Sequence, residues 1–216
     1  MAALKPVMTH DEAAEHLRQE VVGTLRHETE PLVAEAKFFG AVRAIICDID
    51  YVAALFDGWD GKDPRRIATA EKFRTFLESV VTRVAGNQGY KQFAGHLYEM
   101  YRVGTVHLRH PRQLTHAAAS SPVLSWGIMV ERTDDFDYPV GGKAFTATHL
   151  QPVKVDANKT ILPVSLKALF EDSIAAFEEF ARMLQAEKAA GGHTLLDKWR
   201  AVADALVAPF VSKLTW

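Results

Sequence analysis

Apolar residues recur at helical spacing through the first hundred positions. Ala14, Leu17, Val21 and Leu25 share one face of a predicted first helix, and Thr9 with Glu12 has capping-box spacing at its start. Pro31 opens a second segment. There Phe38, Val42, Ile45, Ile49, Val52 and Phe56 trace one stripe, which Ile46 and Ala53 widen, so a central helix is predicted. It stops in the turn-rich run Asp57-Gly58-Trp59-Asp60-Gly61. Asp63-Pro64 supplies an N-cap and a first-turn proline for a third helix. This helix carries Ile67, Ala70, Phe73, Leu77, Val80, Val81 and Val84 inward and ends at Gly86-Asn87. A fourth runs from about Gln88 through Tyr90, Phe93, Leu97 and Tyr101.

After His107 the period changes. A polar, proline-punctuated connection leads into three short extended runs, at residues 123–131, 143–153 and 160–163. Asp134-Asp135-Phe136-Asp137 and Gly141-Gly142 separate the first two, and Asp156-Ala157-Asn158 the last two. This pattern predicts a small antiparallel meander. Ser165 then caps an amphipathic helix with Leu166, Leu169, Phe170, Phe177, Phe180 and Leu184 on one face, broken by Gly191-Gly192. Thr194 and Asp197 open a last helix carrying Leu195, Trp199, Val202, Leu206 and Phe210, with Pro209 distorting its end. No repeat or linker interrupts the chain. The expected architecture is one domain over residues 1–216, mostly α (α+β): an up-down helical bundle with an antiparallel β-meander inserted at about 122–163, before the last two helices.

Composition narrows the function classes. With 25 Lys+Arg against 27 Asp+Glu the net charge is −2, so no global positive field attracts nucleic acid or anionic membrane, and any such binding must use a local patch. The single cysteine, Cys47, excludes an internal disulfide framework and a cysteine-built zinc site, and is expected in the core. The most apolar stretch, residues 41–56, contains Arg43, Asp48 and Asp50 and is too polar for a bilayer span. The N-terminus shows no apolar secretory region. A cytoplasmic protein without a membrane partner is expected.

The densest chemically able segment follows the fourth helix. Between Tyr101 and His116 lie three arginines, three histidines and no acid. Arginine offers a permanently charged donor fork for phosphate oxygens, and histidine can take and give a proton near neutral pH. Together they suit phosphodiester chemistry. Residues five apart on a regular helix point about 140° apart, so Arg102 and His107 do not meet on an unbroken helix. Either the helix loosens at Gly104, or a second subunit completes the site.

The run Arg102-Val103-Gly104-Thr105-Val106-His107, preceded by Tyr98 and Tyr101 at the end of a fourth amphipathic helix, resembles the Arg/His signature of the HEPN superfamily. The resemblance covers about residues 11–107 plus the helix from Ser165, and leaves the β-insertion unexplained. It implies a HEPN-like bundle and metal-independent RNA cleavage by a homodimer whose protomers share one cleft, with no cofactor. His107 would be the general base or acid and Arg102 the phosphate clamp. Asp48 on the second helix would pair with Arg102 or orient His107, with Tyr101 in support. Arg109, His110 and Arg112 would hold RNA phosphates. Active members commonly carry a polar residue directly after the arginine, where this chain has Val103. The alternative is a non-catalytic HEPN-like interaction protein with a protein partner in a toxin–antitoxin, phage-defence or regulatory assembly.

Other features read as structural. Asp50, about 140° from the centre of the apolar face of its helix, is expected to be solvated near Arg43, whereas Asp48 borders that face. The spacings of His107, His110 and His116 match no standard zinc pattern, so no metal is expected. Asp134 to Asp137 reads as a polar hairpin tip, and the Gly-Gly pairs as turns.

Overall fold

A computed structural model describes residues 9–59, 66–105, 111–115, 123–138 and 143–207. Among them are six helices. The first, α1, covers residues 10–34 and begins with the expected capping box, in which Thr9 and Glu12 satisfy each other's backbone N–H. Its Ala13, Ala14, Leu17 and Leu25 are buried along the length of α5 (Leu166–Ala189). The chain turns at Ala36, which holds a positive φ of 53°, and enters α2 (Phe38–Asp57). Pro31 therefore lies in the last turns of α1, and the second helix begins seven residues later than the proline suggests.

The breadth of the α2 stripe has its explanation in its neighbours. Ala41, Val42, Ile45, Ile46, Ile49, Val52, Ala53 and Leu55 are all fully buried, because α2 is flanked by α3 (residues 66–85), α4 (residues 89–105), α5 and α6 (Thr194–Val207). It ends at Gly58, whose φ of 84° is the left-handed C-cap conformation and whose Cα faces Lys198 closely. Phe56, Phe76, Phe177, Phe180 and Trp199 then link α2, α3, α5 and α6 through mostly edge-on and tilted ring contacts.

The β-region differs from the expected meander. Strand β1 (Val123–Met129) pairs in parallel with β5 (Lys159–Ser165), and β4 (Val153–Lys154) pairs antiparallel with β5 on its other side. The run read as a polar tip is itself a strand, β2 (Thr133–Tyr138), which forms a separate antiparallel hairpin with β3 (Lys143–Thr148). Alternation marks a strand but not its partner, so the parallel pairing was invisible in the pattern. Ser165 joins sheet to bundle: it ends β5, its Oγ donates to the Val130 carbonyl at 3.0 Å and accepts the Ala168 N–H at the start of α5. Leu150 packs so tightly on Gly89 at the start of α4 that a Cβ there would lie 2.5 Å from that of Leu150. Those two contacts fix the β-region against the ends of α4 and α5.

Candidate functional site

Arg102 stands near the end of α4, where hydrogen bonding over Tyr98–Val103 is of the wider π type. Such turns often mark functional sites, but α1 and α3 contain them too, so the turn alone singles out nothing. The arginine's partner distinguishes it. Arg102 Nε donates to Asp50 Oδ2 at 2.9 Å, across from α2. Lys72 of α3 completes a trio: its Nζ lies 3.1 Å from Asp50 Oδ1, donates to the Asp50 carbonyl at 3.2 Å and sits 4.5 Å from the centre of the Trp59 ring.

This arrangement corrects the reading of Asp50 as a solvated residue. Asp50 is buried, because three helices meet over it and two cations replace its water. Burial by itself would lower the Arg102 pKa, but the hydrogen bond and charge of Asp50 outweigh it and raise the value further. Lys72 is pushed down, since its desolvation exceeds what Asp50 returns. One carboxylate facing two cations leaves the trio with an excess of one positive charge. Arg102 is its exposed member, at 23% side-chain exposure against 3% for Lys72.

Two expected site residues, Asp48 and Tyr101, do not join the trio. Asp48 is on a different side of α2. Burial, followed by the nearby Glu28 charge, raises its carboxyl to about 6, and the Arg102 bond belongs to Asp50. Tyr101 is fully buried, with no hydrogen-bond partner for its hydroxyl among the described residues, so it packs α4 and cannot touch a ligand. Cys47 is exposed, not in the core, because it lies to one side of the apolar stripe; Arg102 and Arg43 are both within electrostatic reach of its thiol. Arg112 is exposed, and its N–H donates to the Met100 carbonyl at 2.9 Å, two residues before Arg102. His107, Arg109, His110 and His116 lie outside the described residues, as do Asp63-Pro64, Gly141-Gly142 and the end of the last helix from residue 208.

A second buried network escaped sequence reasoning. Ser165 N–H donates to His149 Nδ1 at 2.9 Å, so that nitrogen is an acceptor and the neutral ring carries its hydrogen on Nε2. His149 Nε2 lies 3.0 Å from the Tyr90 hydroxyl, which donates to Asp172 Oδ2 at 2.9 Å. Arg132 closes the chain with bonds of 3.3 and 2.9 Å to the two Asp172 oxygens. Desolvation, then the charge of Arg132, lowers His149 to about 3. A proton on Nδ1 would also set two donors against each other. A cleft of about 470 Å³ opens beside this network, lined by Asn87, Gln92, Arg132 and His149 among others. No clear signal for it stood in the sequence: Asp172 lies about 110° from the centre of the apolar face traced by Leu166, Leu169, Phe170, Phe177, Phe180 and Leu184, and only the packed structure buries it.

Among the described residues no group of His, Cys, Asp or Glu is arranged to hold a metal ion, and no helix is long and apolar enough to cross a membrane. Comparisons with family models, curated proteins and solved structures found no match to the chain.

Proposed function

We propose that this chain is a HEPN-like protein that cleaves RNA without a metal, using Arg102 and His107 in a cleft completed by a second copy of itself. The observation that carries the reading is the Asp50–Arg102 bond. A second-helix carboxylate holds the motif arginine in place while leaving part of it exposed, as a phosphate clamp requires. In the proposed reaction, one His107 imidazole takes the proton of a ribose 2′-hydroxyl, whose oxygen attacks the adjacent phosphorus. The bond to the 5′-oxygen breaks, that oxygen receives a proton from the paired protomer's imidazole, and a 2′,3′-cyclic phosphate remains. Arg102 neutralises charge growing on the non-bridging oxygens.

Labelled RNA incubated with the protein in chelator should be cut to cyclic-phosphate ends, and His107→Ala should lower the rate at least about 100-fold. Absence of cleavage by the intact protein, or equal cleavage by the variant, would refute the assignment. Sizing chromatography should show a dimer at micromolar concentration, and a persistent monomer would remove the shared cleft. A second reading, a non-catalytic partner-binding module, draws on Val103. That side chain is packed against the core and offers no hydrogen bond beside the clamp. A stable complex with a protein partner together with inert RNA would favour it.

A further inference from the structure

An edge of α2 that exposes Phe39, Arg43 and Cys47 runs from the buried Asp50 of the Arg102 trio to an aromatic pair. Phe39, Arg43 and Asp50 lie at positions i, i+4 and i+11, within about 40° of one another around the helix and spread over about 17 Å of its length. Asp50 marks the end covered by Arg102. Arg43 is exposed midway. At the far end Phe39 is 44% exposed, an unusual state for a phenylalanine in a chain with so complete a core. Its ring meets Trp126 of β1 edge-on, with centroids 5.8 Å apart, so the exposed ring is held in one orientation.

The segment 111–115 closes the other side of this track. Leu114 pairs with Leu124 of β1, and Gln113 Nε2 reaches Ser125 Oγ at 3.3 Å, which brings the exposed Arg112 toward the level of Trp126. The Arg112 backbone is tied to Met100, near Arg102. Three arginines from three elements and a braced aromatic ring therefore share one surface. The Asp50 carboxylate beside it is matched by Lys72 and Arg102.

Resting on the nuclease reading above, we propose that this surface is the binding track for single-stranded RNA: a base stacks on Phe39, braced by Trp126, and Arg43 and Arg112 hold the phosphates leading to Arg102. Stacking needs an unpaired base and tolerates any of the four, whereas a duplex hides its faces. Three arginines gathered on a chain of net charge −2 make a local positive patch, which favours a polyanion with stackable bases over a protein partner.

The test uses the full chain carrying His107→Ala, so that cleavage does not interfere, with a fluorescently labelled 12-nucleotide RNA in chelator. Phe39→Ala should weaken binding about 5- to 100-fold with little dependence on salt. Arg43→Ala should weaken it and reduce the slope of log affinity against log salt by about 0.7, the value for one phosphate on a single strand. The matching duplex should bind less tightly and be insensitive to Phe39→Ala. Unchanged affinity in both variants, with the intact protein still cutting RNA, would overturn the track and spare the nuclease. Weakened binding with no cleavage by the intact protein would keep the track and refute the nuclease. Loss of dimer mass on Phe39→Ala without loss of RNA affinity would make the surface a protein interface and overturn the proposal.

Discussion

Two places in this molecule bury an aspartate against an arginine, and they do it for different ends. Around Asp50 the partners are two cations from two other helices, and one of them, Arg102, stays part-exposed at the rim of the bundle. Around Asp172 the partners form a chain, Arg132 to Asp172 to Tyr90 to His149 to Ser165, that runs from the β-region into α4 and α5. The first concentrates positive charge beside an open surface. The second sets one cation, Arg132, against two acids, Asp172 and the exposed Glu171, so no positive charge is left over although Arg132 is itself 46% exposed. It fastens the sheet to the bundle. A buried ion pair alone does not mark a functional site; what counts is whether a charge is left over and where it points.

That contrast can be broken experimentally, beginning with the strongest expected effect. Asp50→Ala strands two cations, one of them almost fully buried, and should cost about 3–5 kcal/mol in urea unfolding. Under the RNA reading it should also impair cleavage by releasing Arg102. A cost under about 1 kcal/mol would mean that the trio is not a structural unit.

His149→Gln should cost about 2–3 kcal/mol at pH 7, because it removes bonds to Ser165 and Tyr90 in a dry site. It should leave RNA binding unchanged. The pH dependence carries a sign. His149 titrates at about 3 when folded and near 6.5 when unfolded, so the unfolded chain takes up the proton first. Its contribution is present above pH 6.5 and is lost as pH falls toward 3, by at most about 1.4 kcal/mol per pH unit. Stability curves measured from pH 4 to 7 should therefore be flatter for His149→Gln than for the natural chain.

The smallest effect runs the other way. Asp48 is raised from 3.8 to about 6 by burial, so the folded state keeps a proton that the unfolded chain has released. Its favourable contribution exists below pH 3.8 and disappears as pH rises through 6, leaving a cost at neutrality. Asp48→Asn should stabilise the protein by about 1–2 kcal/mol at pH 7.5 and steepen the acid loss that His149 causes. A destabilised Asp48→Asn would mean that the carboxylate has a partner outside the described residues.

The comparison also shows how far each site could be read beforehand. Arg102 was legible because arginine and histidine types crowd into one acid-free stretch. Its acidic partner was placed one step wrong, on Asp48 in place of Asp50, because a helical wheel ranks positions by distance from one apolar face. Asp50 lies far from that face, yet Lys72 and Arg102 close over it from α3 and α4. The same limit put Cys47 inside and Phe38 on the buried stripe, when Cys47 is exposed and Phe38 stands 37% exposed at the start of α2. His149, an isolated histidine at the end of a strand, gave no pattern at all.

The amino-acid order by itself determined the local structure: the capping box at Thr9, the helical stripes of α2 and α5, the Ser165 cap, and the break of the pattern into strands beyond position 122. These depend on neighbours within a few residues, and periodicity records them directly. Tertiary structure alone decided that β1 pairs in parallel with β5, that Asp50 gathers two cations, and that His149 is held neutral between Ser165 and Tyr90. Each joins residues 16 to 59 positions apart. What a side chain then costs or contributes is set by desolvation and by the partner that meets it, and neither is written in the spacing of its own element.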